Sequence, residues 1–575
     1  MLSAARRLHG AASVVHHTMK VSVVVPIYNP GRFIEPCIES MLDQSLPPGE
    51  LEVVLVDDGS TDDTPARLDS LVAQYPQFRV IHTPNSGWSG TPRNIGIAEA
   101  RGEYVQFLDQ DDRMAPEALE RLCAMADRNR SDIVLGKVAS DFRGVPQNVF
   151  RRNREACTIH DAPLIDSLTP HKLFRRSFLS EYDIRFPEGK RRVEDELFMA
   201  RSYFRAKVVS ILADYVCYFY ARREDRGNAG FTRIEPEGYY ANVREVIEVV
   251  LANTRPGEFR NRLLRRFLRV EMLGRLSEPS YLRYDPAYRE RIFTAVRDLA
   301  LDMINEGVDA GLGALQRLRA GLLRRDDRQG LLDLARRASE VQAVARLEAA
   351  TWQRERLVLS FGARLDRPEA GDGAVLAARD DHRVFLGPAL TDGLSTDPIE
   401  VTDELSSVRA ELFLRDPTAG IEWAVPSKAA MALGSASAPT PTLRGTATID
   451  LRQIAGGRPL ARGTWEVWLR VVGMGLDRRA RLLESPPSGG EVVSRPALTR
   501  GTAGVATSFD EQGRLAVRVD RELPAGGDGG VLRRVVREMA RRPGQFVERT
   551  AWRAYYRLPR RTQAAARAMY RRVRP

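Results

Sequence analysis

The chain has 575 residues, and 43% of them are hydrophobic, which is enough for packed cores and excludes a wholly disordered polypeptide. Its four cysteines lie far apart and form no CxxC pair, so a disulfide scaffold and a cysteine-based zinc site are excluded. No apolar run approaches the ~18 residues that a membrane-spanning helix needs. We therefore expect a cytoplasmic protein of several domains.

The positive charge is concentrated at the end of the chain. The formal net charge is +11, but residues 531–575 contain fourteen arginines and two glutamates, so the rest is close to neutral. This distribution argues against a protein that coats nucleic acid, and no nucleic-acid partner is expected. The mixture of arginine with aromatic residues in this tail favours one of three roles: an amphipathic helix on an anionic membrane, a solvated tail, or a segment that binds a polyanionic acceptor.

An α/β domain is predicted over residues 20–235. Residues 1–19 precede it and predict a disordered leader, because their short apolar stretch is interrupted by histidines. Continuous or short β-branched runs predict four strands, at residues 20–27, 51–56, 78–82 and 104–108. Helical spacing lies between them, at residues 33–44, 64–75 and 94–100. Strands that alternate with helices predict a parallel sheet.

Polar residues stand at the ends of three of these strands, where ligands bind in parallel sheets. They are Tyr28 and Asn29, Asp57 and Asp58, and the run Asp109, Gln110, Asp111 and Asp112. Several carboxylates at one strand end repel each other unless a cation neutralises them, so this edge suits a hard divalent ion that bridges a diphosphate. A solvated acidic turn is the alternative that the acidic run alone leaves open.

After residue 235 the composition and the predicted secondary structure of the chain change twice. Residues 236–355 are rich in Leu and Arg and predict a helical linker domain. Residues 356–523 contain short alternating stretches between Gly, Pro and Asp turns, which predict a β-sandwich-like region with room for two modules. In this region Trp465 and Trp468 are three apart, hence on opposite faces of a strand, and core packing is favoured over a glycan platform. A glycine-rich linker, residues 524–530, leads to the basic tail.

Four motifs in a fixed order resemble glycosyltransferase family 2, whose catalytic domain has the GT-A fold. They are VSVVVPIYN, VVLVDDGSTDDT, PRNIGIAEARGEYVQFLDQDD and VEDELF. Within that family, NSGWSGTPRN, RGVPQNVF, SLTPHKLFRRSFL and IRFPEGKRRVEDELF are similar to the wall teichoic acid β-N-acetylglucosaminyltransferases that decorate poly(ribitol phosphate). The resemblance implies a metal-dependent, inverting transfer of a sugar, GlcNAc, from a UDP-sugar to a hydroxyl of a cell-wall glycopolymer. It also implies a homo-oligomer, a trimer made by the C-terminal region.

The resemblance further implies roles for individual residues. The uridine would be bound by Pro26, Tyr28 and Asp58, with Asp57 beside them. Asn85 and Arg93 would border the nucleotide-sugar. Asp109 would contact the ribose and a metal-bound water, Asp111 would ligate Mn²⁺ or Mg²⁺, and Asp112 would support them. Asp195 would be the general base, and Glu194 would orient the acceptor.

One departure from the family concerns the loop after the base helix, where relatives often carry a histidine near the metal. Residues 221–233 contain none, and Asn228 is the nearest polar substitute. Arg222, Arg223 and Arg226 would close over the diphosphate instead.

Two other functions stay open. One is a family 2 transferase of another UDP-hexose in capsule or exopolysaccharide synthesis, and the other is a non-catalytic glycan-binding scaffold. The chain lacks a QxxRW-type motif, which favours transfer of single sugars over processive synthesis. The basic tail would place the enzyme at the inner face of the plasma membrane or on its polymer.

Overall fold

The computed structural model describes residues 19–47, 49–140, 142–225, 232–353, 356–367, 375–378, 383–394, 396–432, 441–484, 505–521 and 523. The predicted leader apart from Met19, the glycine-rich linker and the basic tail lie outside the described residues. The chain divides into two compact units. One unit draws on Met1–Val138, Asn148–Leu212 and Cys217–Thr232, and the other on Ala139–Gln147, Ala213–Val216 and Arg233–Pro575.

A nine-stranded sheet forms the centre of the first unit. Its strands are β1 (Val21–Ile27), β2 (Leu51–Asp57), β3 (Phe78–His82), β4 (Tyr104–Phe107), β5 (Arg113–Met114), β6 (Ile133–Ser140), β7 (Arg154–Cys157), β8 (Leu173–Arg175) and β9 (Val209–Tyr220). Their order is β3-β2-β1-β4-β8-β6-β9-β5, with β7 paired to β9. The four strands predicted from sequence, β1 to β4, are parallel to one another, whereas β8 runs antiparallel to β4.

Among the described residues of the first unit, six α-helices accompany this sheet. They are α1 (Glu35–Leu42), α2 (Thr64–Gln74), α3 (Gly90–Glu99), α4 (Ala118–Asn129), α5 (Arg176–Glu181) and α6 (Glu194–Arg205). Helix α3 approaches β1 closely at Gly96, where a Cβ atom would lie 2.2 Å from Cγ1 of Val24. Glycine is therefore required at this contact, which holds α3 and its side chains against the sheet.

An aromatic cluster connects the end of β4 to α6. The rings of Phe186 and Phe198 stack with centroids 3.9 Å apart. Phe107, at the end of β4, packs edge-on against both of them and against Phe174. All four rings are buried, so this cluster fixes the start of α6 relative to the acidic run after β4.

The second unit begins with helices. They are α7 (Pro236–Ala252), α8 (Glu258–Phe267) with a π-helical turn (Leu268–Met272), α9 (Ser280–Arg283), α10 (Pro286–Met303), α11 (Glu306–Asp309), α12 (Ala314–Arg324) and α13 (Arg328–Ser339). Among the helices of the described residues, none combines the length and the hydrophobicity that crossing a bilayer requires.

The prediction that the helical linker extends to residue 355 was wrong at its C-terminal boundary. Helix α13 ends at Ser339, and β10 (Gln342–Gln353) follows and pairs antiparallel with β11 (Arg356–Asp366). The Ala, Arg, Leu and Glu residues of β10 have high helix propensity, but Ala345 and Leu347 bury one face of the strand. Pairing and burial outweigh local propensity here.

The remaining strands confirm the β-rich C-terminal region. They are β12 (Leu376–Ala378), β13 (Val384–Leu386), β14 (Arg409–Arg415), β15 (Glu422–Ala424), β16 (Ser427–Ala432), β17 (Thr442–Asp450), β18 (Gly463–Gly473), β19 (Leu476–Arg481), β20 (Leu483–Glu484), β21 (Val505–Phe509) and β22 (Leu515–Val519), with one short helix, α14 (Pro388–Thr391). One sheet has the order β16-β17-β11-β10-β20, another has β15-β14-β18-β22-β21 with β19 on β18, and β12 pairs with β13.

The two tryptophans of β18 point to opposite faces, as their spacing predicts. Trp465 is buried in the core. Trp468 stacks on Phe413 with ring centroids 6.3 Å apart, beneath the guanidinium of Arg481. Both rings are engaged within the unit, which favours packing over a glycan platform.

Candidate active site

The loops after β1, β2 and β4 lie together at one edge of the sheet, as parallel strands require. The backbone N–H of Tyr28 donates to Oε1 of Gln110 at 2.9 Å, and Nε2 of Gln110 donates to the carbonyl of Tyr28 at 3.2 Å. The backbone N–H of Asn29 donates to the hydroxyl of Ser60 at 3.0 Å. Pro26 is buried within β1, whereas Tyr28 beyond it is 45% exposed. An exposed ring on a fixed loop is available to a ligand.

Asp57 at the end of β2 and Asp58 after it are buried and hydrogen-bonded to backbone. Oδ1 of Asp58 accepts from the backbone N–H of Ser86 at 2.9 Å, and Nδ2 of Asn85 donates to the carbonyl of Asp58 at 2.8 Å. Gly59 between these loops has a φ of +71°, and a Cβ there would lie 2.6 Å from the backbone nitrogen of Asn85. The side chain of Asn85 thus holds the backbone of Asp58 in place.

An acidic cluster with a histidine follows β4. Ligand atoms of Asp109, Asp112 and His171 all lie within 4.8 Å of one another. Nε2 of His171 is 2.9 Å from Oδ2 of Asp109. Asp112 accepts from the hydroxyl of Tyr218 at 2.6 Å and from the backbone N–H of Ala221 at 2.8 Å. Two carboxylates and an imidazole are donors that suit a divalent transition metal.

The charges within this cluster oppose one another. Burial raises the pKa of Asp109, but the charges of His171 and Arg93 outweigh it, and the pKa of this carboxyl lies well below its ordinary value. Burial and the charge of Asp109 raise the pKa of Asp111 to about 6. The same two causes, with Asp111, raise the pKa of Asp112 well above its ordinary value. A bound cation would relieve this repulsion, so the residues present fit one.

Sequence reasoning missed His171. It sought a histidine in residues 221–233, but the structure places one beside Asp109 from the segment before β8. The ring of His171 is buried, stacks on Tyr218 with centroids 4.5 Å apart, and lies 3.2 Å from the hydroxyl of Tyr220. The TPHKLF motif contains this histidine, but only the antiparallel pairing of β8 with β4 brings it to the cluster. Asn228 lies outside the described residues.

The cluster also differs from the implied ligand set in its membership. Asp112, expected to have a supporting role, stands with Asp109 and His171, whereas Asp111 does not belong to this group. The role of Asp111 as a metal ligand stays a prediction.

Arg93, on α3, links the acidic cluster to the start of α6. Its Nη2 donates to Oδ1 of Asp109 at 2.9 Å, and its Nη1 donates to Oδ1 of Asp195 at 2.7 Å. The guanidinium is buried and lies over the ring of Phe186 at 5.2 Å. Because the guanidinium is a planar, permanently charged fork, it holds the two carboxylates in a fixed relation.

Glu194 and Asp195 are the first two residues of α6. Val193 before them has a φ of +65°, an unusual conformation for a β-branched residue. Glu194 is buried and accepts from the hydroxyl of Ser89 at 3.1 Å. The Asp195 side chain is 28% exposed, so solvent reaches this carboxylate.

The ionisation of Asp195 suits proton transfer near neutral pH. Burial raises the pKa of the Asp195 carboxyl to about 7, against the opposing charge of Arg93. The charges of Glu194 and Asp109 add to this rise. A carboxylate with a pKa close to the working pH is well matched to the role of general base.

Two of the three arginines predicted to close over the diphosphate are described, in the loop after β9. Arg222 is exposed. Arg223 forms a bidentate ion pair with Asp225, at 3.0 and 2.7 Å, and its guanidinium lies 4.5 Å above the ring of Phe33. Both belong to the loop that follows the strand bearing Tyr218. Arg226 lies outside the described residues.

Comparison with known proteins agrees with this architecture. Residues 22–196 match the family model for glycosyl transferase family 2, and residues 236–335 match the model for the glycosyl transferase TarS linker domain. GlyG of Streptococcus pneumoniae, a glycosyltransferase, is 30% identical over 247 residues, which cover 40% of this chain and 77% of GlyG. A GT-A sheet with acidic loops at its carboxyl edge is the catalytic architecture of nucleotide-sugar transferases. The chain belongs to glycosyl transferase family 2.

Two further relatives match over a smaller share of their own length. A poly(ribitol-phosphate) beta-glucosyltransferase of Bacillus spizizenii is 36% identical over 237 residues, 41% of this chain and 37% of that protein. The poly(ribitol-phosphate) beta-N-acetylglucosaminyltransferase TarS of Staphylococcus aureus is 34% identical over 251 residues, 44% of each chain. A crystal structure of TarS 1–349 in complex with UDP-GlcNAc matches with a TM-score of 0.50 and 28% identity, covering 59% of this chain and 96% of that one. The chain thus spans less than half the length of these two relatives.

Proposed function

We propose that the protein transfers a hexose, GlcNAc, from a UDP-sugar to a hydroxyl of an anionic cell-wall glycopolymer, with inversion. The observation that carries this proposal is the bridge of Arg93 between Asp109 and Asp195, at 2.9 and 2.7 Å. One buried side chain thereby relates the carboxylate on the donor side to the carboxylate on the acceptor side. Such fixed placement of two reactants is a large part of catalysis.

The donor is held at the carboxyl edge of the sheet. Asp58 accepts from the uracil N–H, Tyr28 covers the base, and Pro26 and Asp57 shape the floor beneath them. The match to a TarS structure that contains UDP-GlcNAc supports a uridine nucleotide as the donor. Arg222 and Arg223 approach the diphosphate from the loop after β9.

A divalent cation, Mn²⁺ or Mg²⁺, would be held by Asp109, Asp112 and His171, with Asp111 beside them. When bound, such an ion neutralises the diphosphate and stabilises UDP as the leaving group. The donor set, and the mutual repulsion of its carboxylates, support this assignment. Arg93 meanwhile keeps Asp109 ionised.

The acceptor is activated at Asp195. Its carboxylate takes the proton of the attacking hydroxyl, on the face of the sugar opposite UDP, and Glu194 with Ser89 holds the start of α6 in place. A single base of this kind converts an α-linked UDP-sugar into a β-glycoside.

Two relatives act on poly(ribitol phosphate), which supports a polyol phosphate as the acceptor. They differ in the sugar they transfer, since one is a glucosyltransferase and the other an N-acetylglucosaminyltransferase. Glucose is therefore the second candidate donor sugar. The trimer, the location at the inner face of the membrane and the membrane role of residues 531–575 stay predictions.

The full-length protein is incubated with poly(ribitol phosphate), Mn²⁺ and either UDP-GlcNAc or UDP-glucose, and UDP release is measured. We expect release that requires acceptor and cation, with one donor preferred. Asp195→Asn should lower the rate by about 10²–10⁴-fold while UDP still binds. Asp183→Asn, at a carboxylate that is 80% exposed, is the control and should leave the rate unchanged. Equal turnover in Asp195→Asn would rule out Asp195 as the base.

A further inference from the structure

His82, the last residue of β3, stands between two carboxylates. Its Nδ1 lies 2.7 Å from Oδ2 of Asp57, at the end of β2. Its Nε2 lies 3.3 Å from Oδ1 of Asp69, on α2. The Asp57 side chain is 2% exposed and that of His82 is 40% exposed, so the ring closes over a buried carboxylate.

The two carboxylates favour a doubly protonated, positively charged ring. Ionised carboxylates only accept hydrogen bonds, and a neutral imidazole has one N–H to donate. Both contacts of His82 are therefore satisfied together only when the ring carries two protons. The 2.7 Å contact is of the length that a charge-assisted hydrogen bond takes.

From Asp57 a chain of hydrogen bonds continues into the nucleotide site. The other oxygen of Asp57, Oδ1, accepts from the backbone N–H of Ser60 at 3.0 Å. The hydroxyl of Ser60 in turn accepts from the backbone N–H of Asn29 at 3.0 Å. The turn that contains Asp58 and the loop that contains Tyr28 are thus both connected to His82.

We propose that His82 is a positioning residue for the uridine nucleotide: as an imidazolium it fixes Asp57, and through Ser60 it holds the loops of Asp58 and Tyr28 in their binding conformation. UDP affinity then depends on the proton of His82. This inference rests on the proposed use of a UDP-sugar, and it adds a residue that does not touch the nucleotide.

The direction of the pH dependence follows from the neighbours of the ring. Among the described residues, the charged groups that face His82 are Asp57 and Asp69. The hydrogen bond to Asp57 raises the pKa of His82 above its ordinary value, burial opposes this, and Asp69 supports it. The charge-assisted contact with Asp57 is therefore fully present below the ordinary histidine pKa, and it becomes a weaker, neutral hydrogen bond as the pH rises through the raised one.

The test is calorimetric titration of UDP with Mn²⁺ into the full-length protein, from pH 6 to pH 9, for the wild type and His82→Gln. UDP itself titrates in this range, so the readout is the ratio of the two Kd values at each pH. Loss of one charge-assisted hydrogen bond predicts a ratio of about five or more at pH 6. The ratio should fall as the pH rises through the raised pKa of His82, because the contact with Asp57 then loses its charge.

Steady-state kinetics give a second readout that a merely structural role would not reproduce. In His82→Gln the KM for the UDP-sugar should rise by the same factor as Kd, whereas kcat at saturating donor should stay within about twofold. His160→Gln, at an exposed histidine after β7, is the matched control and should behave as wild type.

Asp69→Asn keeps the inference testable if His82→Gln does not fold. The Asp69 side chain is 67% exposed, so its replacement does not threaten folding. The contact between His82 and Asp57 is retained in this variant. We expect the midpoint of the pH dependence to move to lower pH, with a Kd change below that of His82→Gln.

The outcomes separate this inference from the proposed function. A Kd ratio of one throughout, or a raised ratio that is independent of pH, would overturn the role of the His82 proton while leaving the UDP-sugar transferase intact. A wild-type protein that binds no UDP would overturn the proposed function and this inference with it.

Discussion

The guanidinium of Arg93 donates to Asp109 and to Asp195, which are contributed by two different parts of the first unit. A residue with one donor group could satisfy only one of these carboxylates. The other would then remain in the site without its counter-charge, which is costly in a partly buried environment. Holding both carboxylates therefore depends on the shape of the arginine side chain as well as on its charge.

Arg93→Lys should lower kcat for UDP release by about 10²–10³-fold, the range found when one preorganised donor is removed from an active site. Arg101→Lys, at an exposed arginine after α3, is the control. Circular dichroism of the variant should match the wild type. A kcat within threefold of the wild-type value would show that the bridge is not needed.

The pH profile of kcat should report Asp195. Its pKa is raised to about 7, and a general base acts only when deprotonated, so the rate should climb about tenfold per pH unit below pH 7 and level off above it. The measurement is kcat at saturating donor and acceptor from pH 5.5 to 8.5. The residual rate of Asp195→Asn should not show this rise with pH. A wild-type kcat that is independent of pH would contradict the role of Asp195 as general base.

At the scale of elements, the geometry of the site depends on how α3 and α6 pack against the sheet. Gly96 lets α3 lie directly on β1, and the ring stack of Phe186 on Phe198 seats α6 beside β4. Val193 adopts a left-handed conformation immediately before Glu194. Strain of this kind persists only where surrounding packing imposes it, and it is common at functional sites.

Gly96→Ala should destabilise the protein by about 1–3 kcal/mol, because the new methyl group overlaps the side chain of Val24. Since α3 carries Arg93, activity should fall as well. The measurement is the urea midpoint followed by circular dichroism, with UDP release in parallel. Gly144→Ala is the control, since a Cβ there meets no atom within 4 Å. An unchanged midpoint for Gly96→Ala would show that the sheet moves to accommodate the methyl group.

At the scale of the whole molecule, charge and catalysis are separated along the chain. The carboxylates of the site lie in the first unit, and the arginine-rich segment lies at residues 531–575. Such a segment would favour binding to an anionic surface, because each basic residue near that surface contributes about 1 kcal/mol.

Deletion of residues 531–575 should abolish co-sedimentation with anionic vesicles at moderate salt. Turnover of a short soluble acceptor should remain unchanged, because the deleted segment contains none of the site residues. Neutral vesicles provide the control. Equal binding of the full-length and truncated proteins to anionic vesicles and to polymer would exclude a targeting role.

The sequence by itself determined the strands β1 to β4, their parallel arrangement and the sheet edge to which Asp58 and Asp109 belong, because buried β-branched runs and polar strand ends are local signals. It also placed Glu194 and Asp195 at the start of a helix. It did not identify β10, whose composition favours a helix until it pairs with β11.

Only the tertiary structure decided which side chains are partners. His171 is 62 residues from Asp109 in sequence, and Asp195 is 102 residues from Arg93. The pairing of β8 with β4, and the aromatic packing beneath α6, bring these residues together. Contacts between distant segments depend on register and packing, for which a single sequence contains no local signal. For the same reason the contacts of His82 could not be predicted from sequence, since its two carboxylate partners come from β2 and α2.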